Sequence, residues 1–152
     1  MRETVEEIRR AAPQDASGIR DLTRAAYAPW VAVMGREPKP MLADYEQSVL
    51  TNLIDLLYVD GAHAALIEMV PKTDHFLVKN VAVAPNFQGH GYGSKLMAHA
   101  ERVAHSLGYK EMRLYTNKLM AANIKLYLRL GYRADREEAF KSGFVVHMSK
   151  SI

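Results

Sequence analysis

The sequence predicts an α/β or α+β layered domain around a mixed sheet, and three observations carry that reading. Segments with strand-like and helix-like apolar patterns follow one another in the order β-α-α-β-β-β-α-β-α-β-β. Asp60-Gly61 joins two strand-like runs, a dipeptide suited to a two-residue hairpin. Residues 76–84 (FLVKNVAVA) are apolar on both alternating faces apart from Lys79 and Asn80, as in a strand covered on both sides. The chain has 152 residues and no internal repeat, low-complexity tract or Gly/Ser linker, so it reads as one domain over 1–152.

A strand over 4–11 opens the chain, and Pro13 ends it. Residues 14–27 place Ile19, Leu22, Ala26 and Tyr27 on one side and Asp15 and Arg20 on the other, which predicts a helix. Residues 28–40 are punctuated by Pro29, Gly35, Pro38 and Pro40 and read as a loop. Trp30, Val31, Val33 and Met34 make that loop apolar, as expected of one that covers something. A second helix runs from about 41 to 52. Strands over 56–60 and 62–70 flank the hairpin turn, and the strand over 76–84 stops at Pro85. From 94 to 107, Leu96, Met97, Ala100, Val103, Ala104 and Leu107 form a helical stripe, with Gly108 suited to its C-terminal cap. A strand over 111–116 precedes a helix over 121–130, with Ile124, Tyr127 and Leu128 inward and Gly131 at its end. Strands over 132–140 and 143–149, around Lys141-Ser142-Gly143, complete the order.

Composition excludes several function classes. Hydrophobic residues make up 49% and charged residues 24%, close to a globular average and unlike a disordered chain. Lys plus Arg is 20 against 17 Asp plus Glu, a net +3. That surplus is too small to indicate nucleic acid, though it helps attract an anionic ligand. Without cysteine there is no disulfide framework, catalytic thiol or thiolate-held zinc. The six histidines lack metal-ligand spacing, so no metal is expected. The opening MRETVEEIRRAAP is charged, unlike a signal sequence, and apolar runs fall far short of the ~20 residues of a membrane span. A soluble, cytoplasmic protein with no membrane partner is the expectation.

The chemistry concentrates in Val81-Ala-Val-Ala-Pro-Asn-Phe-Gln88-Gly-His-Gly-Tyr-Gly93 and the helix that follows from Ser94. A buried strand, a glycine turn and a helix start succeed one another. Glycines at 89, 91 and 93 let the backbone approach a ligand and take positive φ. The first N–H groups of the helix lack intrahelical partners and lie at its positive end, which suits a phosphate. A glycine-rich connector without ligand is the alternative. The dinucleotide fingerprint fails because the glycines run G-x-G-x-G, and no Gly-Lys-Ser/Thr follows to make a P-loop.

Val83-Ala84-Pro85 followed by Gln88-Gly89-His90-Gly91-Tyr92-Gly93 resembles motif A of the GNAT superfamily of N-acetyltransferases, V-x-P and then Q/R-x-x-G-x-G/A. Downstream, Asn123, Tyr127 and Gly131-Tyr132, spaced N-x-x-x-Y with three residues before the glycine, resemble that family's fourth-helix signature. The element order is similar over nearly the whole chain. The resemblance implies a GNAT-like fold, with a mixed, mainly antiparallel central sheet flanked by about four helices. It also implies transfer of an acetyl group from acetyl-CoA to a primary amine by direct attack.

Carried over by position, the resemblance gives Val81, Ala82 and Val83 the pantetheine arm through main chain. It gives Gln88, Gly89, His90, Gly91, Tyr92, Gly93 and Ser94 the pyrophosphate, and Asn123 a hydrogen bond to the arm. Tyr127 is implied to protonate the departing thiolate, the alternative being a core aromatic. No base is assigned. Where relatives carry a carboxylate, this chain offers Asn80 and Tyr115, which can order a water, while Glu68 reads as a solvated strand residue and His75 as a turn residue. The region around Trp30, Arg36 and Asp44 is implied to wall the acceptor, a small-molecule or protein amine. A homodimer, through the C-terminal strands, is implied too. The competing functions are a non-catalytic module that senses acyl-CoA and a nucleotide-binding domain of another class.

Overall fold

The computed structural model describes residues 3–141 and 143–152. Among them, strands β1 (Glu6–Arg10), β2 (Leu53–Val59), β3 (Ala62–Pro71), β4 (Phe76–Val83), β5 (Glu111–Asn117), β6 (Arg133–Phe140) and β7 (Gly143–Ser151) form one sheet. Its order is β1-β2-β3-β4-β5-β7-β6, and every neighbouring pair is antiparallel except β4–β5. The helices are α1 (Ala16–Met34), α2 (Lys39–Leu42), α3 (Tyr45–Thr51), α4 (Tyr92–Ser106) and α5 (Ala121–Arg129). The expected mixed, mainly antiparallel sheet is present, with five helices in place of about four.

Both faces of the sheet are covered, which explains strands without a polar side. Ile54, Leu56, Leu66 and Ala82 pack with Ile19 and Leu22 of α1 and Tyr45 of α3. On the other face Leu57, Ala65 and Ile67 pack with Leu96, Met97 and Ala100 of α4. The hairpin is as the sequence predicts: Val59 faces Ala62, and Asp60 and Gly61 take φ of 50° and 82°, as a type I′ turn requires. β2 begins earlier than expected, at Leu53.

A β-bulge interrupts the β3–β4 ladder. Glu68 pairs with Asn80 but Met69 pairs with Val78, leaving Lys79 as the extra residue. The inserted residue reverses the alternation of β4. Val78 therefore faces the α4 side while Asn80 and Ala82 face α1.

Three expectations are corrected. The loop over 28–40 shrinks to 35–38, because α1 continues through Pro29 to Met34 and ends at Gly35, φ 72°, whose N–H bonds Val31 O at 2.9 Å. Pro29 forfeits one helical bond, to the carbonyl of Ala25; both residues are exposed, so water can take it. The helix over 41–52 is two pieces: Ala43 is extended, and the Asp44 carboxylate accepts from the Gln47 N–H at 3.2 Å to cap α3. Leu128 points outward, 50% exposed, whereas Ile124 and Tyr127 of α5 pack on the core. The C-terminal turn expected around Lys141-Ser142-Gly143 includes Ser142, which lies outside the described residues.

One buried charge ties the layers together. Asp55 of β2 is 3% exposed; it accepts from Arg10 of β1, its cross-strand partner, and lies 2.7 Å from His99 Nε2 of α4. Burial pushes the Asp55 carboxyl upward, but the bonds with His99 and Arg10 outweigh it, and the group lies below its ordinary value. The folded state thus favours the carboxylate. Its stabilisation is complete well above the unfolded value of about 3.9 and drains away as pH falls through the lower folded value. Asp55→Ala should cost about 3 kcal/mol at pH 7, and urea unfolding should show that gap to wild type shrinking at pH 3.

Candidate active site

The bulge at Lys79 marks the place where β4 leaves its parallel neighbour. The two strands pair through Phe76–Met112, Leu77–Arg113 and Val78–Leu114 and no further. β5 goes on with β7 as far as Asn117–Val145, while β4 stays with β3 through Val83–Ala65. The gap opens into a groove of about 460 Å³. Along it runs an edge of β4, Val81 to Val83, with no strand on that side.

The chain's own side chains occupy two carbonyls of that edge. Tyr27 donates its hydroxyl to Val81 O at 3.3 Å and to Asn80 Oδ1 at 2.9 Å. Gln88 Nε2 donates to Val83 O at 3.0 Å. Carbonyls engaged by single side-chain donors can accept from a ligand amide instead.

The glycine turn closes one end of the groove. Gly89 and Gly91 take φ of 82° and 81°, and a Cβ at either would point into open space. Gly91 is the N-cap of α4, and no side chain caps that helix end. The helix starts at Tyr92, two residues earlier than expected, so Tyr92, Gly93 and Ser94 form its first turn along the groove wall. Open space, positive φ and an uncapped helix N-terminus together fit the phosphates of the donor that the resemblance implies. His90 is exposed and stands outside the groove wall, its ring 6.1 Å from that of Tyr92.

α5 forms the opposite wall with Asn123, Leu126 and Tyr127. Burial pushes the Tyr127 phenol up to about 12, so it keeps its proton at neutral pH. Tyr127 packs edge-on to Tyr132, and among the described residues its hydroxyl has no hydrogen-bond partner. Asn123 Nδ2 has only the Met120 sulfur, at 3.9 Å. Neither the Tyr127 hydroxyl nor the Asn123 amide is therefore committed to another polar group of the described residues. Trp30, expected on the acceptor wall, lines this groove as well.

The remaining expected residues line two adjoining cavities. A cleft of about 80 Å³ shares Tyr27 and Met120 with the groove and is walled by Arg36, Tyr115 and Phe140. A cavity of about 300 Å³ shares Lys39, Lys79 and Tyr115 with that cleft and holds Glu68, Asn80 and Tyr45. Glu68 is not the solvated residue expected: it is 1% exposed, because the bulge sets it opposite buried Asn80, and Asn52 donates to its Oε2 at 2.7 Å. Asn80 donates to the Tyr45 hydroxyl at 3.4 Å, which donates to Pro40 O at 2.6 Å. A hydrogen-bonded chain therefore links groove and cavity: Tyr27, Asn80, Tyr45. Burial and then the Glu68 charge raise the Tyr115 phenol. Asp44 caps α3, and His75 pairs with Asp74 at 2.7 Å on the turn before β4.

The sequence reading missed Tyr27, whose polar tip on the inward face of a helix was the available signal, and Met120, which had none. Lys39 and Lys79 were also missed, as charges scattered along the chain.

With this geometry in hand, comparison with solved structures finds the same fold. The PaiA N-acetyltransferase from Thermoplasma acidophilum, in complex with coenzyme A, superposes with a TM-score of 0.81 at 16% identity, over 97% of this chain and 99% of that one. A GNAT family acetyltransferase from Elizabethkingia anophelis with acetyl-CoA bound gives 0.74 at 16%, over 97% and 98%. The ribosomal-protein-S18-alanine N-acetyltransferase from Escherichia coli gives 0.75 at 21%, over 97% and 94%. A search of curated protein sequences finds no significant match. The family model for the acetyltransferase (GNAT) family matches residues 17–132, most of the chain, and the chain belongs to that family.

Proposed function

We propose that this member of the acetyltransferase (GNAT) family transfers the acetyl group of acetyl-CoA to a primary amine by direct attack, with no acyl-enzyme. The observation that carries the reading is Tyr127: a protonated phenol without a partner, in the same groove as the open β4 edge and the uncapped α4 N-terminus. Phosphate binding alone needs only the glycine turn and the helix start. An unengaged acid across from the open strand edge is what a departing thiolate requires.

In this reading the main chain of Val81, Ala82 and Val83 holds the pantetheine arm, and Asn123 bonds it from α5. The N–H groups of the turn and of the first turn of α4 hold the pyrophosphate. The amine enters through the cavities that hold Asn80 and Tyr115 and reaches the thioester past Tyr27. Its nitrogen loses one proton before attack and a second after the new C–N bond forms. As the C–S bond breaks, Tyr127 gives its proton to the sulfur and is later reprotonated from solvent. The balance is one ammonium and one thioester giving one amide, one thiol and one proton. The chain has no cysteine to carry an acyl group, which agrees with direct transfer. A cytoplasmic setting and a homodimer, both drawn from the resemblance, belong to the same reading; light scattering should give the mass of two chains.

Acetyl-CoA at 100 times its dissociation constant should add about 2.7 kcal/mol of stability, read as a rise in melting temperature of several degrees. Gly91→Val, which puts a branched side chain at φ 81° and into the phosphate space, should abolish that rise. A folded variant that still binds the donor like wild type would reduce the turn to a connector.

Tyr127→Phe removes a hydroxyl that has no protein partner, so stability should change by less than about 1 kcal/mol. Turnover should fall about 10²-fold or more under conditions where chemistry limits the rate. An unchanged turnover number would return Tyr127 to the core.

A further inference from the structure

Around Phe140 the chain gathers positive charge that its own carboxylates leave uncompensated. The Arg36 guanidinium carbon lies 5.5 Å from the ring centroid, Lys39 Nζ 4.8 Å and Lys141 Nζ 5.6 Å. Lys79, the bulge residue, joins Lys39 in lining both the cleft and the 300 Å³ cavity. Among the described residues none of these four forms an ion pair. Of the acids close to them in sequence, Glu37 pairs with Arg24 at 2.9 Å and Glu137 with Lys118 at 2.9 Å, and Glu138 lies 3.2 Å from His147 Nε2. Like charges held together on one aromatic ring repel, and the ring offsets only part of that.

The opposite sign lies deeper. The floor of the 300 Å³ cavity is Glu68, Asn80 and Tyr45, at 1%, 4% and 0% exposure, while Lys39 and Lys79 are exposed at its mouth. Carboxylate within and ammonium groups at the rim make a pocket polarised for a molecule with the reverse arrangement.

We infer that the acceptor is a small zwitterionic amine, whose carboxylate or phosphate is held by Lys39, Lys79 and Arg36 and whose ammonium is drawn toward Glu68. This rests on the acetyl-transfer reading above and adds the class of the acceptor. Glu68, beside Asn80 and Tyr45 on the cavity floor, draws the ammonium in before it is deprotonated. A polycation would meet the rim with the wrong sign, and an enclosed floor of this volume suits a small molecule better than a folded protein.

The test is acetyl-CoA-dependent thiol release by the full chain with four amines of equal length: an alkylamine, its ω-carboxylate, its ω-phosphate and a diamine. The carboxylate or the phosphate should exceed the alkylamine in kcat/KM by about tenfold or more, the worth of one charge-assisted contact, and the better of the two identifies the anion. The advantage should shrink as salt is raised. In the double variant Lys39→Met, Lys79→Met, whose sites are exposed and leave the core intact, the ratio of anionic to neutral acceptor should fall toward one. A ratio near one in wild type, a diamine as best acceptor, or a lysine peptide outrunning all four would overturn the inference while acetyl transfer stands. Silence with every amine, alongside a normal thermal shift with acetyl-CoA, would overturn both.

Discussion

One inserted residue governs the architecture of the site. At Lys79 the β3–β4 ladder takes in an extra residue, and from that point β4 turns its other face to each layer and parts from β5. A continuous sheet here would bury every main-chain group of residues 79–83 in ladder bonds and leave no groove. The split exposes peptide groups whose bonds are worth about 1 kcal/mol each, and the protein covers part of that loss with Tyr27 and Gln88. Those borrowed bonds are weak enough to exchange for a ligand's, which would let the defect serve as a binding edge. The same bulge sets Glu68 against Asn80 and places Lys79 at the cavity mouth.

Two halves of the chemistry meet at that break. On the groove side, the Gly89–Gly91 turn and the bare end of α4 supply positive potential, and the Tyr127 phenol holds its proton firmly through burial. On the other side, Asn80 and Tyr45 are buried and hydrogen-bonded, so their orientations are fixed. Tyr27 spans the two, bonding Asn80 with the oxygen that also touches Val81. In a low-dielectric interior such a chain holds its geometry because any member left unpaired is costly.

Much of this was legible in the chain, and the failures are physically specific. The order of elements along the chain, the Asp60-Gly61 hairpin and the glycine turn could be read because each depends on residues adjacent in sequence. The anion-binding character of the turn could be expected from the same local grammar, a strand, three glycines and a helix start, whereas Asn123 and Tyr127 entered through the family resemblance. Of the proposed acceptor side, Arg36, Asn80 and Tyr115 were named, but the two cavities they line were not legible, because these are assembled from distant segments. Glu68 looks like any outward residue of a strand until the bulge in β4 fixes its partner. Lys39 and Lys79 lie 40 residues apart and come together only through packing. Pro29 misled because a proline is a poor helix residue on average, yet its cost is small where the lost bond faces water. Asp44 looked like a ligand-reading charge, although its spacing to Gln47 is that of a helix cap.

That same proline has a mechanical consequence. A helix missing one rung is softer there than elsewhere, and α1 bends most cheaply between its first turns, fastened to the sheet by Ile19 and Leu22, and its last. Trp30 and Met34 both lie beyond that joint, the first on the wall of the groove and the second on the wall of the cleft. A single stiff segment on a compliant hinge thus forms part of two rooms. A displacement of that segment would therefore alter the groove wall at Trp30 and the cleft wall at Met34 together.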